Sequence, residues 1–322
     1  MDTADTEEAT VTDSGAGQGA TLALDAGQTG VKARLHLART SHDLDLPGVR
    51  TDLPLHPQLA RTVDAARRAA GLTFHRLAVG TTGLTAGEAD AAPLLDLVRH
   101  QGIAEVYLAH DSVSSYLGAL GDSCGAVVAA GTGSIILARG TVAVARVDGW
   151  GHIMGDAGSG FWIGREALRA AMRAHDGRGP ATALVRLVRD RWPDVEDAYI
   201  DLQTDPEWVR RVASLSRDTA ALAETDAEAE RICRSAGEQL AVSVVTALSR
   251  VDEPRAGQTT PVATLGQVFG SAVVRQQFGQ TLAELLPSVV MVEPAGTGLD
   301  GVSLLPDIHP GHPLHGLVSR AR

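Results

Sequence analysis

Gly125–Gly164, GAVVAAGTGSIILARGTVAVARVDGWGHIMGDAGSGFWIG, decides how the rest of the chain is read. It opens on a run of small apolar residues, Ala126 to Ala130, that predicts a buried strand. The turn Gly131-Thr132-Gly133-Ser134 follows, and a second apolar run, Ile135 to Ala138, returns as the partner strand. Glycines let a backbone come close to a ligand, and successive N–H groups in such a turn form a cradle for anions. Gly-Thr-Gly turns also occur in hairpins that bind nothing. The next segment is more telling. Asp148 to Gly160 holds five glycines, two acids and Trp150 within thirteen residues, and a helix is predicted to start near Phe161. Ordering so much glycine costs conformational entropy, which argues for a binding role.

With 322 residues the chain is long enough for two domains. Apolar residues make up 44% and aromatic ones only 3%, so the cores must be built of Ala, Val, Leu and Ile. The net charge of −11, with no run rich in Lys or Arg, argues against a nucleic-acid partner. Cys124 and Cys233 stand too far apart for a metal knuckle, and a reducing cytoplasm fits two lone thiols. Residues 1–19 are acidic and nearly free of apolar side chains, which predicts a disordered tail rather than a signal peptide. No apolar run approaches the roughly 18 residues that span a bilayer, so no membrane partner is expected.

From residue 20 the pattern reads as alternating strands and helices. Thr21 to Asp25 is a strand, Ala26 to Gly30 a turn, Val31 to Leu37 its partner, and Asp43 to Val49 a third strand. Pro57 to Ala70 has Leu59, Val63, Ala66 and Ala70 at helical spacing. Strands are predicted at Leu77 to Gly80 and Glu105 to Ala109, and helices at Ala89 to Gln101 and Val113 to about Leu120. Beyond the central hairpin the chain turns mostly helical; the longest helix, Asp226 to Ser249, carries Ile232, Ala236, Leu240, Val244 and Leu248 on one stripe. Val262 to Leu265 is a strand, Gly266 to Gly270 a turn, Ser271 to Leu286 a helix, Val289 to Val292 a last strand, and a terminal helix starts near Gly296. The pattern contains a coarse echo. Each half begins with a hairpin whose turn is small and hydroxylated, Gly27 to Thr29 in one and Gly131 to Ser134 in the other.

Two halves that each offer a glycine-rich hairpin resemble the actin, hexokinase and chaperone ATPase superfamily. The nearer resemblance is to N-acetylglucosamine kinases and their relatives in the benzoyl-CoA reductase activator ATPase family, on motifs in the same order from about residue 21 to residue 315. Asp25-Ala26-Gly27-Gln28-Thr29 resembles the first phosphate motif, and Ala130 to Ser134 the second. Asp111 after a strand resembles the catalytic aspartate. Gly149-Trp150-Gly151-His152 through Asp156-Ala157-Gly158-Ser159-Gly160 to Gly164 is similar to the amino-sugar signature, and Leu265 to Phe269 to the adenosine motif. Departures stand beside the matches. Ala26 and Gln28 replace frequent glycines, the nearest lysine is Lys32, Ala157 replaces a common Glu, and Gln267 replaces a glycine. Ala157 bears on which sugar is bound.

The resemblance implies an α/β protein with a two-lobed actin-like, ribonuclease-H-like ATPase fold and an ATP cleft between lobes. It implies an N-terminal lobe over 20–117 and a C-terminal lobe over 118–322, the terminal helix packing back on the first. The expected activity is ATP-dependent phosphorylation of an amino sugar, N-acetylglucosamine to its 6-phosphate, by a cytoplasmic homodimer. Phosphoryl transfer asks a protein mainly to position reactants and neutralise charge. Asp25 is expected to hold Mg²⁺, largely through waters. Gly27, Gln28, Thr29, Gly131, Thr132, Gly133 and Ser134 would clasp the phosphates, and Gly266 and Phe269 the adenosine. Asp111 would accept the sugar hydroxyl's proton. Thr82, Gly83, Asp111, Trp150, Gly151, His152 and Asp156 would meet the sugar.

Each residue also has a plainer role open to it. Asp111 sits where a helix N-cap belongs, Asp25 in a turn, and Gly266 to Gly270 in a simple connection. Trp150 fits a core plug as well as a sugar contact. Cys124 reads as a buried small apolar residue, and His309, His312 and His315, interrupted by Pro310 and Pro313, as a solvated tail. Two other functions share these motifs: an ATPase that drives a protein partner, and a catalytically inactive sugar sensor.

Overall fold

The computed structural model describes residues 20–36, 40–255 and 257–322; the acidic tail expected over residues 1–19 lies outside them. The chain divides into two compact units. The first runs to Asp111 and adds residues 305–307 and 317–322; the second holds residues 112–304 and 308–316.

In the first unit, strand β1 (Thr21–Ala26) has Leu22, Ala23 and Leu24 all fully buried, as a strand covered on both faces requires. It pairs antiparallel with β2 (Val31–His36), which pairs antiparallel with β3 (Ser41–Leu46). On its other side β1 runs parallel to β4 (Arg76–Thr81), and β4 parallel to β5 (Glu105–His110). The β3 strand ends at Leu46 rather than reaching Val49, because Pro47 lacks an N–H for the ladder. Helix α1 (Leu55–Ala70) buries Leu55, Leu59, Val63 and Ala66 and stops at Gly71, whose φ of +65° suits glycine. Helix α2 (Ala92–Val98) is shorter than predicted: Pro93 stands in its first turn, and a 3₁₀ turn, Arg99–Gln101, completes the segment.

Helix α3 (Asp111–Leu120) opens the second unit from its second residue on; its first residue, Asp111, is the last of the first unit's main segment. Strand β6 (Gly125–Ala130) pairs antiparallel with β7 (Ser134–Arg139), and β7 with β8 (Val144–Asp148). Strand β6 also runs parallel to β9 (Thr260–Leu265), and β9 to β10 (Val289–Val292). Helices α4 (Gly160–His175), α5 (Leu184–Arg189), α6 (Ala198–Thr204), α7 (Trp208–Leu222), α8 (Ala227–Ser249), α9 (Ala272–Leu285) and α10 (Gly298–Leu304) complete it. In α8 the predicted stripe is fully realised, Ile232, Ala236, Leu240, Val244 and Leu248 being buried, and Asp226 caps its start by accepting from Glu228 N and Ala229 N.

The echo in the sequence is a repeat in the topology. One sheet has the order β5-β4-β1-β2-β3 and the other β10-β9-β6-β7-β8, with the same parallel and antiparallel pairings at each step. The first sheet adds β11 (Val318–Ala321) outside β5, antiparallel to it. Strands β8 and β11 have no counterpart in the sequence reading; β11 is four residues long and half polar, too short to carry a pattern. The His309–His315 segment is not a solvated tail. His312 is buried, its Nδ1 accepts from Leu314 N, and its Nε2 donates to Asp122 Oδ1 at 2.8 Å. Cys124 is half-buried rather than buried.

Candidate active site

Loops after the carboxyl ends of parallel strands are where α/β sheets gather ligand-binding groups. Each unit places its candidates there. In the first, Asp25 stands near the end of β1, Thr82 and Gly83 follow β4, and Asp111 follows β5. Asp25 lies level with Gly80 of β4, which lies level with Ala109 of β5. Burial, then the charge of Asp111, raise the Asp25 carboxyl to about 6, and Lys32, paired directly across the hairpin, opposes them. The Asp111 Oδ1 lies 2.8 Å from Nδ1 of His110, and the carboxylate stands in the first turn of α3, where the helix dipole favours negative charge. The charge of Asp111 thus disfavours ionisation of Asp25, an effect that a cation bound beside Asp25 would offset. Among the described residues no group of three or more His, Cys, Asp or Glu forms a metal site.

The turn after β1 closes on itself. Gly27 N donates to Gly30 O at 3.1 Å, and Val49 N donates to Gly27 O at 3.0 Å, so the segment after β3 buttresses the turn. Gly48 is needed there, because a Cβ would run into the backbone of Gln28. Gln28 and Thr29 stand exposed at the tip. Thr82 N extends the β1–β4 ladder by donating to Ala26 O at 3.1 Å.

In the second unit the turn after β6 closes likewise, Gly131 N donating to Gly133 O at 2.9 Å, with Thr132 exposed at its tip. The amides of Gly27 and Gly131, expected to face phosphate, are thus used inside their own turns. Helix α4 grows directly from this turn: Gly160 N donates to Gly131 O at 2.8 Å and Phe161 N to Thr132 O at 3.0 Å, while the fully buried Ser159 caps the helix by accepting from Trp162 N. Ser134 Oγ donates to Ala157 O at 3.0 Å. The phosphate-type turn and the glycine-rich loop are therefore one hydrogen-bonded body.

Asp156, read as a sugar ligand, is buried against this turn. A Cβ on Gly133 would lie 2.8 Å from Asp156 Oδ2. Burial, foremost, and the nearby charge of Asp148 raise its carboxyl, while backbone hydrogen bonds from Ser134 and Gly151 hold it down; the balance is upward. Trp150 is 60% exposed, which excludes the core-plug reading, and the Arg146 guanidinium lies 4.6 Å from its ring. His152 sits in an aromatic cluster, 5.0 Å from Phe161 and 4.9 Å from Trp208 between ring centres. Trp208, at the start of α7, carries no motif and is invisible to pattern reading.

The turn after β9 lies against the same place. Gly266, with φ +96°, packs on the backbone of Ala130, leaving no room for a Cβ. Phe269, read as an adenosine contact, turns its ring into the core, 5.1 Å from Phe278, and Arg275 holds its carbonyl. What the turn exposes is Gly266, Gln267 and Gly270, with Gln267 Oε1 accepting from Arg217 at 3.3 Å.

Known proteins resemble this chain in fold and in sequence. A candidate N-acetylglucosamine kinase of Chromobacterium violaceum has a crystal structure similar to this one, with a TM-score of 0.69 and 26% identity over 89% of this chain and 98% of that one. The ROK hexokinase of Thermus thermophilus, with a TM-score of 0.55 and 17% identity over 89% of this chain and 98% of that one, shares the fold. The architecture is the two-lobed actin-like α/β fold. In sequence, an N-acetylmuramic acid/N-acetylglucosamine kinase of Clostridium acetobutylicum is 32% identical over 173 residues, 52% of this chain and 56% of that protein. An N-acetyl-D-glucosamine kinase of Dictyostelium discoideum is 39% identical over 75 residues, 23% of this chain and 24% of that protein. The match thus spans about half the length of the first relative and a quarter of the second. The profile of the BadF/BadG/BcrA/BcrD ATPase family matches residues 47–305, and the chain belongs to that family.

Proposed function

We propose that this protein transfers the γ-phosphoryl group of ATP to a hydroxyl of an amino sugar, N-acetylglucosamine to its 6-phosphate. The observation that carries the reading is the pair Asp25 and Asp111 at one end of the first sheet, with Asp25 held up at about 6 by burial and by Asp111. Asp111 orients the sugar hydroxyl and takes its proton, with His110 fixing the carboxylate's position. Asp25 holds Mg²⁺, which neutralises phosphate charge when bound. Each unit offers an exposed turn tip suited to phosphate, Gln28–Thr29 in the first and Thr132 in the second, and in the second unit the Gly266–Gly270 turn takes the adenosine through its backbone and Gln267. The exposed Trp150 offers a flat apolar face of the kind that sugar rings stack on, and Gly151, His152 and Asp156 belong to the same glycine-rich loop.

Water competes with sugar for the phosphoryl group, so binding energy from the sugar is expected to complete the site. The test is ATP consumption over a panel of hexoses and amino sugars with product identification. The expected result is slow hydrolysis without sugar, and one phosphosugar per ATP at a rate raised by orders of magnitude with the right one. Fast sugar-independent hydrolysis with no phosphosugar from any amino sugar replaces this reading with that of an ATPase driving a protein partner. Tight sugar binding without ATP turnover replaces it with that of a sensor.

A further inference from the structure

Asp148 is the last residue of β8, directly across the ladder from Ile135 and so beside the Gly131–Ser134 turn. Its carboxylate reaches over the glycine-rich loop and takes two backbone donors at once, Asp156 N at 2.7 Å on Oδ1 and Ala157 N at 2.9 Å on Oδ2. Charge-assisted hydrogen bonds of this kind are roughly twice as strong as neutral ones. The backbone is bent to permit it. Asp148 and Asp156 have φ of +59° and +58°, an arrangement uncommon outside glycine, and Gly149, Gly151 and Gly158 also lie in the left-handed region. Gly155 passes so near Asp148 Oδ1 that a Cβ has no space. The two residues clamped are the ones that touch the turn: the Asp156 carboxylate lies against Gly133, and the Ala157 carbonyl accepts from Ser134 Oγ.

We propose that Asp148 is a positioning residue that couples the sugar loop to the phosphate turn, so that sugar bound on the loop sets the turn for ATP. The proposal rests on the kinase reading above. A clamp across the neck of a loop removes its independent motion, so a ligand that orders one end must order the other. Asp156 and Ser134 bridge loop and turn directly, and Asp148 adds the clamp that fixes the backbone of both loop residues in those contacts, while Trp150 faces outward toward Arg146.

The test measures the affinity of a non-hydrolysable ATP analogue by calorimetry, with and without saturating N-acetylglucosamine. In the unaltered protein the sugar should tighten the nucleotide by at least about fivefold, the lower range of measured couplings. Asp148→Asn tolerates a positive φ but offers only one acceptor oxygen, and Asp148→Gly removes the clamp at a φ that glycine adopts freely. In both variants the coupling ratio should fall to about one while circular dichroism shows a folded chain; a merely structural residue would lower the melting temperature and leave the ratio alone. Folded variants that phosphorylate the sugar and keep the full ratio overturn the role of Asp148. An unaltered protein that makes no phosphosugar overturns the kinase reading instead, and the coupling with it.

Discussion

Asp25 and Asp111 stand at the same end of the first sheet, and the charge of Asp111 adds to burial in holding the Asp25 carboxyl at about 6, against 3.8 in an unfolded chain. The folded state therefore holds an extra proton between those values. Stability falls as pH rises from about 4 to 6, and the deficit is complete above the upper value. Asp25→Asn removes it. Without nucleotide or metal, the variant should melt on the order of 5 °C above the original protein at pH 7.5 and level with it near pH 4. Mg²⁺ with ATP should stabilise only the original. Thermal melts at the two pH values check both statements, and a variant no more stable at pH 7.5 contradicts the raised Asp25.

Replacing the second carboxylate separates chemistry from binding. Asp111→Asn keeps the side chain's size and its helix-terminal position but cannot take a proton. Sugar phosphorylation should fall by roughly 10²–10⁴-fold with ATP affinity nearly unchanged. Steady-state kinetics beside nucleotide titration decide it; near-normal turnover by a folded variant removes Asp111 from catalysis.

The two glycines of the second turn should behave differently. A Cβ on Gly131 meets nothing within 4 Å, so Gly131→Ala tests ligand approach alone. It should weaken ATP by about tenfold, some 1.4 kcal/mol, with the melting temperature unmoved. Gly133→Val instead drives a side chain into Asp156 Oδ2, 2.8 Å from even the first added carbon, and should cost both stability and sugar affinity. Identical profiles for the two variants would show that neither turn position faces ligand.

Trp150 gives little to the fold, being 60% exposed and held by one guanidinium contact, a type worth roughly 0.5–1 kcal/mol at exposed sites. Trp150→Ala should leave the melting temperature within a few degrees while raising the sugar KM by about tenfold, about 1.4 kcal/mol of lost contact. An unchanged KM removes the indole from the sugar site.

Much of this layout was legible along the chain. The hairpins at Asp25 to Val31 and Ala126 to Ala138 announce themselves because strand, glycine turn and strand are written in consecutive residues. The α8 stripe from Ile232 to Leu248 follows a helical period, and the helix expected to start near Phe161 is α4, Gly160–His175. Phe269 was the misleading case. Its place in the adenosine motif is local, but whether its ring faces ligand or core depends on Phe278, which α9 brings to it. His312 misled in the same way, since prolines beside it suggest a loop and only Asp122, 190 residues earlier, explains its burial.

By itself the sequence determined the local elements and the glycine-rich turns, since hydrogen bonds and side-chain periods within a few residues select them. It also determined that the pattern occurs twice. Tertiary structure alone decided what those turns touch. Strand β11 is four residues with no pattern of its own and exists because β5 offers an edge to pair with. His152 gains Trp208 as a neighbour only when α7 arrives beside it, and Asp156, whose backbone N–H donates to Asp148, rests against Gly133 of the turn. Such contacts join residues with no fixed spacing along the chain. Their energy comes from burial and paired hydrogen bonds that exist only after the chain has folded back on itself, so no period in the sequence records them.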